Sequence, residues 1–144
     1  FSNPDICPMD FTDITSLVDF GHTIGSHTMN HRRLSEVKSN NELKEEIISS
    51  KKVLEKITKQ NIEHFAYPFG DINSISKNAL KIASREYKYI HSGIRGLNNK
   101  NVNKFLLRRE PLNLNNNIYY NLFIANNGIS FKDRSLRNKL DSLL

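Results

Sequence analysis

Gly25-Ser26-His27-Thr28-Met29-Asn30-His31 sets two imidazoles four residues apart, directly after the short run His22-Thr23-Ile24-Gly25. One helical turn or a tight loop brings residues at this separation to the same side, so two neutral ring nitrogens can reach one Zn²⁺ at about 2.0 to 2.1 Å. Taken alone, the spacing is more often that of a solvated or capping pair than of a metal site. The preceding run reads as a short buried strand. His27 and His31 then lie just past its C-terminal end, and His22 reads as a structural or surface histidine.

Outward from this stretch the chain alternates helix and strand. Upstream, Asp10 can cap a helix whose apolar positions Phe11, Ile14, Leu17 and Val18 share one face, with Asp13 in its first turn and Gly21 as its stop. Downstream, Ser39-Asn40-Asn41-Glu42 has the spacing of a capping box. A long helix is expected after it, with Leu43, Ile47, Ile48, Val53, Leu54 and Ile57 as a core stripe and a solvated face of alternating lysine and glutamate, Glu46 included. Ile62 to Tyr67 reads as the next strand, ended by Pro68, which lacks a backbone donor.

The turn Asp71-Ile72-Asn73-Ser74 leads to a helix carrying Ile75, Ala79, Ile82 and Ala83 on one side. Tyr87 to Ile90 and Phe105 to Leu107 read as third and fourth strands, separated by an asparagine-rich loop. An apolar helix over Ile118 to Ile124, a break at Asn127-Gly128 and a last helix with Leu136, Leu140 and Leu143 complete the chain. The pattern predicts a parallel α/β sheet rather than a bundle or a sandwich. No repeat or internal linker is evident, and residues 1–144 read as a single domain.

Length and composition set bounds. A chain of 144 residues with 25% charged residues has the size and polarity of one ordinary domain. No apolar run approaches the about 18 residues that a membrane span requires. No signal-peptide pattern is present, so the chain as given reads as soluble, with room for a leader removed upstream of Phe1. The single cysteine, Cys7, cannot form an internal disulfide and reads as a small, partly buried residue. The net charge of +6 favours anionic partners, yet the positive charge is spread out. Only Arg108-Arg109 and the tail with Lys132, Arg134, Arg137 and Lys139 are locally basic. Nucleic-acid binding needs interleaved aromatics or a docking element, and neither is evident, so no such partner is expected.

Two segments, Phe20 to Thr28 with His31, and Phe65-Ala66-Tyr67-Pro68-Phe69-Gly70, together resemble the polysaccharide deacetylases of carbohydrate esterase family 4. The family pattern of histidine, serine or threonine, two free positions and histidine is met here by His27, Thr28, Met29, Asn30 and His31. The resemblance runs from about Met9 to about Leu114. It implies a partial parallel (β/α) barrel, with the two histidines at the sheet edge where such barrels carry their active sites. It further implies that His27 and His31 ligate a divalent metal, expected to be zinc, while Thr28 braces the loop by a side-chain hydrogen bond. Pro68, Phe69 and Gly70 match the end of the second motif, in which the backbone N–H, here that of Phe69, helps bind the oxyanion. Tyr67 and Phe69 can also stack on a sugar ring, with ordinary core packing as the alternative, and Pro68 belongs to the same substrate-binding stretch.

The departures from the family are equally informative. Members carry an earlier strand ending in two adjacent aspartates, the general base and the third metal ligand, and this chain has no Asp-Asp pair. It reads as the C-terminal portion of such a domain, with the N-terminal strand or strands missing, because eight-stranded barrels take about 250 residues. Ala66 stands where the family often has arginine, and no histidine follows His91, which itself ends a predicted strand and can approach the site. His64 reads as structural. Asp71 is the acid nearest the second motif and so the candidate substitute ligand or base.

The expected function is a metal-dependent hydrolase that removes N-acetyl or O-acetyl groups from a surface polysaccharide or its precursor. The alternative is an inactive carbohydrate-binding or interaction module derived from that fold. The resemblance favours the cell envelope or periplasm, an N-acetylated polysaccharide or oligosaccharide as partner, and, where a truncated sheet leaves an edge uncovered, a homodimer.

Overall fold

A computed structural model describes residues 7–126, 128 and 132–143. The first helix, α1 (Phe11–Asp19), begins where the Asp10 carboxylate accepts the N–H groups of Thr12 and Asp13 at 2.7 and 2.9 Å. Asp13 reaches back to the Asp10 N–H at 2.9 Å, which completes a reciprocal cap. Gly21, at φ +83°, lets the chain leave the helix in a conformation that a side chain would resist. None of the α1 residues is fully buried, and Phe11 is exposed.

Three short parallel strands follow in the order β1 (Gly25–Ser26), β2 (His64–Ala66) and β3 (Tyr89–His91). Gly25 pairs with His64 and Ser26 with Phe65, while His64, Phe65 and Ala66 pair with Tyr89, Ile90 and His91. The period of two puts Ser26, Phe65 and Ile90 on a buried face. Gly25, His64, Ala66, Tyr89 and His91 line the other. The first strand is later and shorter than His22–Gly25 predicts, with His22 and Thr23 exposed and only Ile24 partly buried.

The expected fourth strand is reduced to a single bridge between His91 and Leu107. Asn103 is the cause. Its side chain accepts the Phe105 N–H at 2.9 Å and its carbonyl the Leu106 N–H at 3.0 Å, and this local turn removes both donors from a ladder.

The long helix opens under Ser39, as the capping spacing predicts, but it is interrupted. After α2 (Asn40–Lys44) comes one π-helical turn (Glu45–Ser49), and α3 (Ser50–Thr58) then continues. Side chains engage the carbonyl of Ile47 within that turn: the Tyr87 hydroxyl donates to it at 2.6 Å and the Ser50 hydroxyl at 3.1 Å. Side chains inserted into the helical ladder are a known cause of such a distortion. Ser50 also shares a hydrogen bond with Ser26 at 2.7 Å, which ties α3 to β1. Two expectations fail here. Val53 is exposed rather than core, and Glu46 is buried at 2% exposure rather than solvated.

The fourth helix, α4 (Lys77–Glu86), is capped by Ser76 and buries Ala79, Leu80 and Ala83. The core is continuous: Leu43, Ile47, Ile62, Phe65, Tyr67 and Ile90 are all at most 2% exposed. Near the C-terminus, α5 (Ile118–Ala125) buries only Ile124 and leaves Tyr119 and Phe123 exposed. The last helix, α6 (Arg134–Asp141), inserts Leu140 into the core and is held by Asp141 on Arg108 at 2.7 Å. Asn127, half of the predicted break, lies outside the described residues. Cys7 is exposed, not partly buried. No helix among the described residues is long and apolar enough to cross a membrane.

Candidate metal and active site

The loop leaving β1 carries His27 and His31 with their ring centroids 4.9 Å apart. His27 Nδ1 hydrogen-bonds the Ala66 carbonyl at 2.8 Å, across the gap from β1 to β2. A carbonyl can only accept, so this bond places the ring proton on Nδ1 and leaves the lone pair on Nε2. Both rings are solvent-exposed.

The loop conformation is demanding. Thr28 and His31 adopt φ of +70° and +54°, a region that a β-branched residue such as threonine rarely enters. Two anchors hold it there. The Thr28 hydroxyl accepts the His31 N–H at 3.0 Å. Behind the loop, the Glu46 carboxylate accepts the N–H of Met29 at 3.1 Å, the N–H of Asn30 at 2.9 Å and the Asn30 side-chain amide at 2.9 Å. The Glu46 carbonyl also accepts the Met29 N–H at 3.1 Å, so the π-helical turn meets the loop with backbone and side chain together. Sequence alone groups Glu46 with its neighbouring charges; the signal against that grouping is its place beside Ile47 on the buried stripe.

The second segment brings Phe69 alongside. Phe69 sits at φ +65°, its ring 5.1 Å from that of His31, and the Arg33 guanidinium lies over the Phe69 ring, 4.4 Å from its centroid. Among the described residues no hydrogen bond engages the Phe69 N–H. Gly70 follows at φ +69°, and its carbonyl accepts the Gly93 N–H at 2.7 Å. A Cβ on Gly70 would lie 2.6 Å from that nitrogen, so only glycine permits the approach of the loops after β2 and β3.

Pro68 and Tyr67 lie beneath this surface. Tyr67 has no exposed area, so its ring belongs to the core and presents no face to a sugar. Its hydroxyl is buried and has no hydrogen-bond partner among the described residues, and burial raises its pKa far above the ordinary phenol value.

Asp71 does not join the histidines. Its carboxylate takes Arg33 at 2.7 Å, and this bond, with the Asn73 and Ser74 N–H groups, lowers its pKa against the opposing effect of desolvation. Among the described residues no group of three His, Cys, Asp or Glu side chains is placed to hold a metal ion. His27 and His31 therefore stand as two neighbouring imidazoles with no third ligand-type side chain grouped with them among the described residues.

On the less buried face of the sheet, His91 Nε2 meets His64 Nδ1 at 3.0 Å, and the His64 ring stacks on Tyr89 at 4.8 Å. Desolvation, then the nearby His64 and Arg109, lower the pKa of His91. Both histidines line a cavity of about 430 Å³ that also reaches His27 and Arg109.

No curated protein matches the chain. Among solved structures it is similar to a polysaccharide deacetylase from Bacillus cereus, at 25% identity and a TM-score of 0.61 over 70% of this chain and 31% of that one. It is also similar to the Streptococcus pyogenes deacetylase PplD, determined in complex with acetate, at 25% identity and a TM-score of 0.65 over 73% of this chain and 45% of that one. A family 4 carbohydrate esterase pseudoenzyme from Bacillus anthracis shares the fold at 22% identity and a TM-score of 0.50, over 56% of this chain and 27% of that one. The chain thus spans less than half the length of these structures. The model of the polysaccharide deacetylase family matches residues 10–88, more than half of the sequence and both segments of the site. The chain belongs to the polysaccharide deacetylase family.

Proposed function

We propose that this chain contributes the two-histidine half of a metal site in a hydrolase that removes acetyl groups, N-linked or O-linked, from a polysaccharide or its precursor. The observation that carries the reading is the His27 bond to the Ala66 carbonyl, which directs Nε2 outward beside His31. That orientation by a backbone acceptor is what a metal-ligating imidazole requires. The third ligand and the general base would come from outside the described residues. The chemistry that a divalent ion such as zinc supplies at a site of this kind is acidification of water and polarisation of a carbonyl.

The chain's own residues do the rest. His27 and His31 act as neutral nitrogen donors, kept in place by Glu46 and Thr28. The Phe69 N–H, held at the loop surface by the turn through Gly70, donates to the oxyanion that develops as the acetyl carbon becomes tetrahedral. The exposed Phe69 ring offers an apolar face to a sugar. The test is acetate release from an acetylated glycan by the protein with zinc, with EDTA, and with His27→Ala. Metal-dependent release abolished by the substitution supports the reading, and metal-independent release contradicts it.

A second reading is a non-catalytic glycan-binding module. It is favoured by the lack of a third metal donor among the described residues and by the likeness to a pseudoenzyme fold. Glycan binding that survives His27→Ala, without acetate release under any metal, would select it.

A further inference from the structure

The cavity beside the three strands is lined by side chains that can carry positive charge and by none that carries negative charge. Three imidazoles (His27, His64 and His91) and the Arg109 guanidinium line it, and no Asp or Glu is among its lining residues. Arg109 donates from Nε to the Ser92 carbonyl at 2.7 Å, which fixes the guanidinium plane while leaving its terminal nitrogens unspent. One of these, Nη2, lies 3.5 Å from where a Gly70 Cβ would be, so the group sits beside the loop that carries Phe69. Arg109 forms no ion pair among the described residues.

His91 and His64 are hydrogen-bonded to one another and both line the same space; in the neutral pair one ring N–H is spent on that bond and one remains. A guanidinium with an open fork, flanked by the one ring N–H that the histidine pair retains, is complementary to a planar two-oxygen anion. We propose that this cavity is a carboxylate-binding site, held by Arg109 with His64 and His91. It goes beyond the metal reading above and stands without it. Two sources share the chemistry: free acetate, the product of the reaction proposed above, and a carboxylate carried by a sugar residue of the glycan. The pKa of His91 is lowered first by burial and then by the nearby His64 and Arg109, and this second, electrostatic part is what an anion would offset.

The test uses the chain with ¹³C-labelled histidine, in EDTA so that no metal contributes. Sodium acetate and sodium glucuronate are titrated in separately, at an ionic strength held constant with sodium chloride. The expected result is saturable movement of the His64 and His91 ring signals, with a dissociation constant on the order of 1 mM and His22 unmoved. Affinity should fall at least about tenfold in Arg109→Gln and less in Arg109→Lys, which keeps the charge and loses the fork. Tighter binding of acetate assigns the site to the free product, and tighter binding of glucuronate assigns it to an acidic sugar; either supports the proposal. Movement that does not saturate, movement matched by chloride, or affinity unchanged in Arg109→Lys overturns it, even where Arg109→Gln fails to fold.

Discussion

Replacing Glu46 with alanine removes the buried carboxylate on which the histidine loop rests. Three donors at 2.9 to 3.1 Å lose their acceptor, although the Met29 N–H retains the Glu46 carbonyl. Hydrogen bonds to a charged acceptor contribute about 1.5 to 3 kcal/mol each, and the two that lose their acceptor outright set the gross loss at about 3 to 6 kcal/mol. Two terms reduce it. The carboxylate no longer has to be desolvated, and Thr28 and His31, freed to leave their left-handed conformations, are relieved of part of their backbone strain. A net destabilisation of about 2 kcal/mol is therefore expected, with most of the visible change confined to residues 28–31. Urea unfolding gives the net term, and hydrogen exchange of the Met29 and Asn30 amides gives the local one. The amides should exchange at least about tenfold faster in the variant, since 1.4 kcal/mol is a factor of ten. A stability change under about 0.5 kcal/mol with unchanged exchange at both amides would refute the idea that Glu46 holds the loop.

Tyr67→Phe deletes a buried hydroxyl that has no partner among the described residues, so it should leave stability unchanged or raise it by about 1 kcal/mol; a thermal melt shifted clearly downward would reveal a partner for that oxygen. Gly70→Ala combines a left-handed backbone with a Cβ 2.6 Å from the Gly93 nitrogen, and should cost about 2 to 4 kcal/mol in urea unfolding. A loss below about 1 kcal/mol would show that the two loops part easily. His91, facing His64 and Arg109, has a lowered pKa, so its neutral form is the one the fold favours. The stability it contributes is present above its ordinary pKa of 6.5 and is lost as pH falls through the lower folded value. The urea midpoint should thus fall less between about pH 7.5 and pH 5.5 in His91→Gln than in the unaltered chain, and equal falls would contradict this.

Much of the fold is legible in the sequence because it rests on local chemistry. Asp10, Ser39 and Gly21 announce helix ends through short side-chain or backbone bonds that need no tertiary partner. The apolar stripe through Leu43 and Ile47 announces the core by its spacing alone. What the sequence hides depends on distant groups. The π-helical turn is read only once Tyr87, 40 residues away, is seen to reach the Ile47 carbonyl. Glu46 looks like one more charge on a solvated face until the histidine loop lies on it. The fourth strand is lost to a turn at Asn103 that competes for the same donors. At the site, the histidine spacing is visible, whereas the fate of Asp71 follows from Arg33, which comes from the loop before α2. Tyr67 shows why an aromatic beside a motif is ambiguous: its ring is core, and only its neighbour Phe69 is exposed.

The central claim is that His27 and His31 are the metal donors of this chain. It is tested most directly by titrating Zn²⁺ into the chain with ¹³C-labelled histidine and following all five rings. The account predicts that the His27 and His31 signals move together, that they do so at one zinc per chain, and that His27→Ala abolishes the movement of His31. Zinc that moves His64 and His91 while leaving His27 and His31 in place would contradict it.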